Sequence, residues 1–292
     1  QAEKIAEIPG VDYILGNMEK QEIAAWVSTG EKRDIPVIRT GDISKDRSLG
    51  LESPDIHSGT TRAFLKIQDG CNHACSYCII PRARGRSRSL PRARVREKID
   101  LLVEEGFEEV VLCGIHLGVY GQDLAPAASL FDLLRDLDRE PGIARIRLSS
   151  IEPNELNDGL LDLFAESRRL CPHFHLPLQS GDPEVLKAMN RPYGPGDFVS
   201  LVHRIHQRMP DAAIGVDVIA GFPGEGEGAF ENTLNLLEGL PVAYLHVFPY
   251  SRRPGTAAAC FPDPVPPEEI RRRAGALRKT GTKKRLDFYA NH

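Results

Sequence analysis

Residues 66–85 read KIQDGCNHACSYCIIPRARG, and this stretch decides how the rest of the chain is read. Cys71, Cys75 and Cys78 follow a short apolar, strand-like run in a C-x3-C-x2-C spacing. Three thiolates this close can grip one cluster or metal, and they are one ligand short of a closed tetrahedral set. An open position marks a reactive site rather than a structural one. Zinc would want a fourth ligand from a second C-x2-C or a His pair, and the spacing of His73 suits no common zinc pattern.

From Thr61 the chain alternates short apolar strands with amphipathic helices. The strands are expected at 63–67, 109–113, 145–149, 173–176, 214–219 and 244–248. Helices are expected at 95–105, 130–139, 156–166, 184–189 with 198–208, and 229–237, with stops at Gly106, Pro141-Gly142 and Pro210. Six β/α units predict an α/β fold: a parallel sheet with helices outside, an open partial (β/α)6 barrel, and active residues at the strand C-terminal ends.

Upstream, 1–28 reads as a small α/β remnant: helix 2–8, strand 11–15, helix 19–27. Residues 29–60 are polar and turn-rich and read as a linker. The barrel is expected over 61–265, and a basic helix over 266–292 closes the chain. The chain opens at Gln1 rather than Met and stops abruptly after Asn291-His292, which reads as a piece of a longer protein.

With 41 acidic against 37 basic residues, the net charge of −4 excludes a generally basic nucleic-acid coat, so local patches must make any such contact. The dense run Arg82, Arg84, Arg86, Arg88, Arg92, Arg94 and Arg96 is the best phosphate-binding candidate, against the alternative of a solvated basic face. Arg252, Arg253 and the clusters at 271–273 and 283–285 are weaker ones. No apolar run approaches the roughly 20 residues that span a bilayer, and no signal peptide opens the chain. Six cysteines, three of them clustered, suit a cytoplasmic metal site better than a disulfide framework. Isolated Cys113, Cys171 and Cys260 are assigned to no metal, with Cys113 a buried small hydrophobe. His116, His173 and His175 read as core or hydrogen-bonded residues in the absence of a partner motif.

The cysteine spacing, with the aromatic Tyr77 just before Cys78, resembles the radical S-adenosylmethionine (SAM) enzymes. Over essentially the whole chain the similarity sharpens to their methylthiotransferase branch. It rests on 64–90 (FLKIQDGCNHACSYCIIPRARGRSRSL), 111–123 (VLCGIHLGVYGQD), 146–156 (IRLSSIEPNEL), 173–193 (HFHLPLQSGDPEVLKAMNRPY), 216–233 (VDVIAGFPGEGEGAFENT) and 246–256 (HVFPYSRRPGT). The ribosomal-protein type usually shows Gln-His where this chain has Gln179-Ser180. The isopentenyladenosine tRNA type favours Gly-Gln-Asn-Val where this chain has Gly114-Ile115-His116-Leu117. The strings HLGVYG and HFHLPLQSG most resemble the threonylcarbamoyladenosine type, which acts on adenosine 37 in the tRNA anticodon loop.

The resemblance implies that Cys71, Cys75 and Cys78 hold a 4Fe-4S cluster whose fourth iron is chelated by SAM. One electron would cleave SAM to methionine and a 5′-deoxyadenosyl radical, which abstracts hydrogen from C2 of the modified adenosine; a second SAM would methylate the incoming sulfur. Tyr77 would pack near the adenine. Gly114, Ser149, Ser150 and Glu152 would contact the methionyl and ribose groups, with strand-end capping as the alternative. Gln179 would reach SAM or substrate, or else close a loop hydrogen bond. Gly221, Pro223, Gly224 and Glu225 would let backbone approach the adenine, Glu225 being equally a helix first-turn acid. Gly226 stands where a threonine is usual, which removes a helix N-cap. The resemblance further implies a second 4Fe-4S cluster and an RNA-binding β-barrel only in a full-length protein, a flavodoxin- or ferredoxin-like electron donor, no membrane partner and a monomer. The rival readings are the other two methylthiotransferase types and a non-enzymatic iron–sulfur or zinc RNA-binding module.

Overall fold

The computed structural model describes residues 2–28, 30, 32–46, 49 and 60–291. Six parallel strands form its centre: β1 (Arg62–Lys66), β2 (Glu109–Cys113), β3 (Arg145–Leu148), β4 (His173–Gln179), β5 (Ala213–Ala220) and β6 (Tyr244–Pro249). β1, β2 and β3 pair in that order, as do β4, β5 and β6. Parallel bridges Ile146↔Leu170 and Ser150↔His175 join the two halves. β1 and β6 are not paired with each other among the described residues, so the barrel is open.

Each crossover carries a helix whose apolar stripe seals the sheet. In α1 (Arg92–Glu104) Val95, Ile99 and Leu102 face inward; in α2 (Leu130–Arg139) Leu130, Leu133, Leu134 and Leu137 do, the i, i+3, i+4, i+7 pattern. Ser129 caps α2 by accepting from Asp132 N at 3.0 Å, and Asn157 caps α3 (Asp158–Glu166) by accepting from Leu160 N at 3.0 Å. α4 (Pro195–Arg208) buries Phe198, Leu201, Val202 and Ile205. α5 (Glu227–Gly239) starts at Gly226 with no side-chain cap, as the missing threonine leads one to expect. α6 (Pro267–Ala290) lies along β6 and buries Ala274 and Leu277. No described helix is long and apolar enough to cross a membrane.

Two departures from the sequence reading bear on the site. β4 runs on through Pro177 to Gln179, beyond the expected end at residue 176, with a register shift between Pro177 and Gln179. Proline offers no ladder N–H, and the bulge turns Gln179, at φ 69°, toward the strand mouth. The stretch expected to be a linker also contributes structure: Val37–Arg39 pairs parallel with Tyr13–Leu15. From there Asp46 reaches Arg88 at 3.0 Å in a buried ion pair. Three-residue strands carry too little period to be read from sequence. Of that expected linker, residues 29, 31, 47, 48 and 50–59 lie outside the described residues.

Candidate active site

The cysteine loop leaves β1 and is closed at its base by a two-rung antiparallel ladder, Gln68↔Ser89 and Asp69↔Arg88. Gly70 begins it at φ 75°, and a Cβ there would lie 2.0 Å from the Arg86 carbonyl oxygen, so only glycine fits. Gln68 braces the base: its amide donates to Gly70 O at 2.8 Å and to Ser87 Oγ at 2.9 Å, and its carbonyl accepts from His116 N at 2.8 Å.

The Met-Asn-Arg string clasps the other side. Ser76 N donates to Met189 O at 3.0 Å, Ser76 Oγ to Ala188 O at 2.8 Å, and Asn190 Nδ2 to Ala74 O at 2.9 Å. Gln-Ser-Gly does the same for the strand mouth, because Gly181 N donates to Thr233 Oγ1 of α5 at 2.9 Å and Ser180 is fully buried.

Cys71, Cys75 and Cys78 are half-buried free thiols that line one cavity of about 230 Å³, together with Tyr77, Ser150, Glu152, Gln179, Arg191 and Asp217. Cys71 Sγ accepts from His73 N at 3.3 Å, and Cys75 Sγ accepts from Arg191 Nη1 at 3.3 Å. N–H donors aimed at sulfur stabilise thiolates held on a metal. Burial pushes the Cys75 and Cys78 thiols up, with Arg191 opposing it at both. Cys75, buried and yet met by the Arg191 guanidinium, suits a site completed by a cation or cluster.

Arg191 and Glu155 were not singled out from sequence, whereas His116 is buried and hydrogen-bonded as expected. Arg191 is almost fully buried, forms an ion pair with Glu152 and donates to Tyr193 OH at 2.7 Å. Burial raises the Glu152 carboxyl while Arg191 holds it down. His116 Nδ1 lies 3.6 Å from Cys71 Sγ, and its Nε2 lies 2.5 Å from Glu155 Oε1. Burial alone would lower its pKa, but Cys71 and Glu155 outweigh that and hold it up at about 10. Only the charge of Arg191 inside an otherwise site-forming motif could have signalled this network. Cys71, His73 and His116 also form a three-ligand group whose donor atoms lie within 4.8 Å of one another. A metal there would leave Cys75 and Cys78 idle, whereas a cluster on the shared cavity uses all three cysteines.

The other expected site residues fall into two sets. Ser150, Glu152, Gln179 and Tyr77 line the cavity, Tyr77 meeting the buried Phe222 edge-on at 6.4 Å between ring centroids. Burial raises the Tyr77 phenol strongly. Gly114 and Ser149 are not among the lining residues, Gly114 N donating to Ser149 Oγ at 3.4 Å. Gly221, Pro223, Gly224 and Glu225 form the turn after β5 and are not among the lining residues. Glu225 instead accepts from Gly221 N at 3.0 Å and from Arg273 Nη1 at 2.8 Å in a buried pair with α6. Cys113 is half-buried at the end of β2 rather than fully buried.

The arginine run is largely neutralised. Arg88 pairs with Asp46, Arg92 with Asp136 at 2.7 Å, Arg94 with Glu97 at 2.5 Å, and Arg96 with Asp100 and Glu140. Arg272 and Arg273 pair with Glu227 and Glu269. Arg82, Arg86, Arg252 and Arg253 are exposed and have no ion pair among the described residues. Arg82 Nη1 donates to Gly255 O at 3.0 Å, joining the loop after Cys78 to the loop after β6.

The chain has relatives among known proteins. The model of the Radical SAM superfamily matches residues 65–237. The threonylcarbamoyladenosine tRNA methylthiotransferase MtaB of Aquifex aeolicus is 36% identical over 98% of this chain and 70% of its own length. Its namesake in Rickettsia prowazekii is 38% identical over 97% and 66%. The tRNA-2-methylthio-N(6)-dimethylallyladenosine synthase of Clostridium botulinum is 35% identical over 93% and 60%. The chain thus spans between 60% and 70% of the length of these curated relatives. Among solved structures, the radical SAM methyltransferase TsrM of Kitasatospora setae superposes with a TM-score of 0.56 at 20% identity, covering 67% of this chain and 38% of that one, a likeness of fold. The chain belongs to the radical SAM superfamily and, within it, to the family of these methylthiotransferases.

Proposed function

We propose that the chain is the catalytic core of an enzyme that adds a methylthio group to C2 of N6-threonylcarbamoyladenosine at position 37 of tRNA. The observation that carries the reading is three free cysteines on one cavity, backed by N–H donors, in a chain 36–38% identical to enzymes bearing that name. Cys71, Cys75 and Cys78 would hold a 4Fe-4S cluster and leave one iron for SAM. When bound, the pair supplies hydrogen abstraction from an unactivated carbon and a transferable methyl group.

The protein's own residues orient and enclose these groups. Tyr77, held by Phe222, forms the apolar side that suits an adenine. Ser150 and Gln179 present polar groups at the strand mouths for the methionyl and ribose atoms. Glu152 acts in concert with Arg191, which holds its charge and also donates to Cys75. Gly114 and Ser149, hydrogen-bonded to each other just past β2 and β3, tie those strand ends together. The turn carrying Gly221, Pro223, Gly224 and Glu225 sets Phe222 against Tyr77 and so shapes the adenine side. Exposed Arg82, Arg86, Arg252 and Arg253 are the phosphate contacts for the anticodon stem-loop. The enzyme works as a cytoplasmic monomer fed by a flavodoxin- or ferredoxin-like donor.

The test is the mass of nucleosides from tRNA incubated anaerobically with the reconstituted full-length protein, SAM and a reductant. A gain of one sulfur and one methyl group on threonylcarbamoyladenosine supports the reading. The same gain on isopentenyladenosine alone would assign the other tRNA type, and a methyl alone would overturn methylthiolation.

A further inference from the structure

The inner wall of β4, β5 and β6 carries a second group of ligand-type side chains, distinct from the three cysteines. His175 Nε2 lies 2.7 Å from Asp217 Oδ1, and His246 Nδ1 lies 3.4 Å from the same oxygen. The three donor atoms all fall within 4.8 Å of one another. We propose that His175, Asp217 and His246 bind a divalent first-row transition ion of the zinc type.

The register builds this group. His246 pairs with Asp217, and His175 pairs with Gly215 two residues earlier on β5, so strand alternation turns all three to one face. Gly215 leaves room for the Tyr244 ring, which would lie 2.2 Å from a Cβ placed there. Tyr244 therefore crosses β5, and its hydroxyl meets His173 Nε2 at 2.7 Å, forming a rigid floor beneath the three ligands. Ligand atoms about 2.0–2.2 Å from a shared ion sit roughly 3–3.5 Å apart, so the observed spacings need only small shifts to close on one. Two imidazoles and a carboxylate suit zinc, manganese, iron(II) or cobalt(II) and not a sulfur-loving ion.

The surrounding groups fit as well. Ser150 Oγ lies 2.9 Å from His175 Nδ1, where it accepts the ring N–H once Nε2 is the ligand. His175 and Asp217 are 16% and 17% exposed and His246 is 50% exposed, so an ion can enter from solvent. Asp217 and Ser150 also line the cysteine cavity, so the open coordination positions face the place where substrate would react. Zinc binding here needs neither SAM nor tRNA and so stands apart from the methylthiolation reading.

The experiment loads the cluster-reconstituted protein with zinc, removes excess, and measures iron and zinc content and the zinc K-edge spectrum. One zinc per chain beyond the iron is expected, with a first shell of nitrogen and oxygen only. His246→Ala, at a half-exposed position, should lose that zinc while keeping its iron and its far-UV spectrum; Asp217→Asn should do the same. Equal zinc in wild type and His246→Ala, no retained zinc, or sulfur in the zinc shell would each overturn the proposal.

Discussion

Replacing Arg191 with Met keeps the length of the side chain and removes the guanidinium from the heart of the site. The arginine side chain is 3% exposed and Glu152 is 16% exposed, so Arg191→Met strands a carboxylate with little water to solvate it. Breaking one side of a buried pair costs about 3–5 kcal/mol, mainly the uncompensated charge. Burial already raises the Glu152 carboxyl, and Arg191 is the main group opposing that rise. Without Arg191 the folded pKa climbs further. An acid whose folded pKa lies above its unfolded value destabilises the fold fully above the folded pKa, and the penalty fades as pH falls toward the unfolded one. The deficit of Arg191→Met is therefore largest at alkaline pH and shrinks on acidification. Glu152→Gln in the same chain removes the stranded charge and should return about 2 kcal/mol or more, since the residues are directly coupled. Urea unfolding of the cluster-free, reduced protein, followed by far-UV circular dichroism at several pH values, measures all three chains. A deficit for Arg191→Met below about 1 kcal/mol, or a double variant no more stable than the single one, would show that Arg191 does not hold the Glu152 charge in the fold.

Gly70→Ala forces a side chain into a φ of 75° and against the Arg86 carbonyl, a backbone penalty of about 1–3 kcal/mol before any overlap is counted. The expected result is reduced iron uptake with the bulk fold retained, read by iron content and circular dichroism. His173 is held down at about pKa 4 by burial, with Arg147 nearby adding to it. Its folded value lies below the unfolded one, so stability is lost as pH falls from about 6.5 toward 4, and His173→Phe should flatten that slope in urea titrations. Reversing Arg82, Arg252 and Arg253 to Glu should weaken tRNA binding. The slope of log K against log salt should fall by about 0.7–0.9 for each phosphate no longer neutralised, measured by binding across a salt series.

The barrel was legible because alternation of apolar strands with helical stripes leaves few arrangements, and the strand bounds came within a few residues of those expected. The cysteine loop was legible because its three cysteines, which line one cavity, are local in sequence. What the sequence hid is long-range. Arg191 reaches Cys75 and Glu152 across 116 and 39 positions, so the partner of Glu152 could not be read from spacing. Asp217 meets His175 and His246 only because three strands are in register. The arginine run looked like one basic face, yet Asp136 and Glu140 at the α2 end, and Asp46 far upstream, neutralise much of it. Val37–Arg39 was missed because three residues show no period.

In the proposed function, Cys71, Cys75 and Cys78 arm one cavity for hydrogen abstraction from C2 of adenosine 37. The most direct measurement uses tRNA carrying deuterium at that carbon, with reconstituted full-length protein, SAM and dithionite under anaerobic conditions. The expected product is 5′-deoxyadenosine that contains the deuterium, with none of it from Cys75→Ala. 5′-Deoxyadenosine without deuterium, or undiminished formation in Cys75→Ala, would contradict the claim.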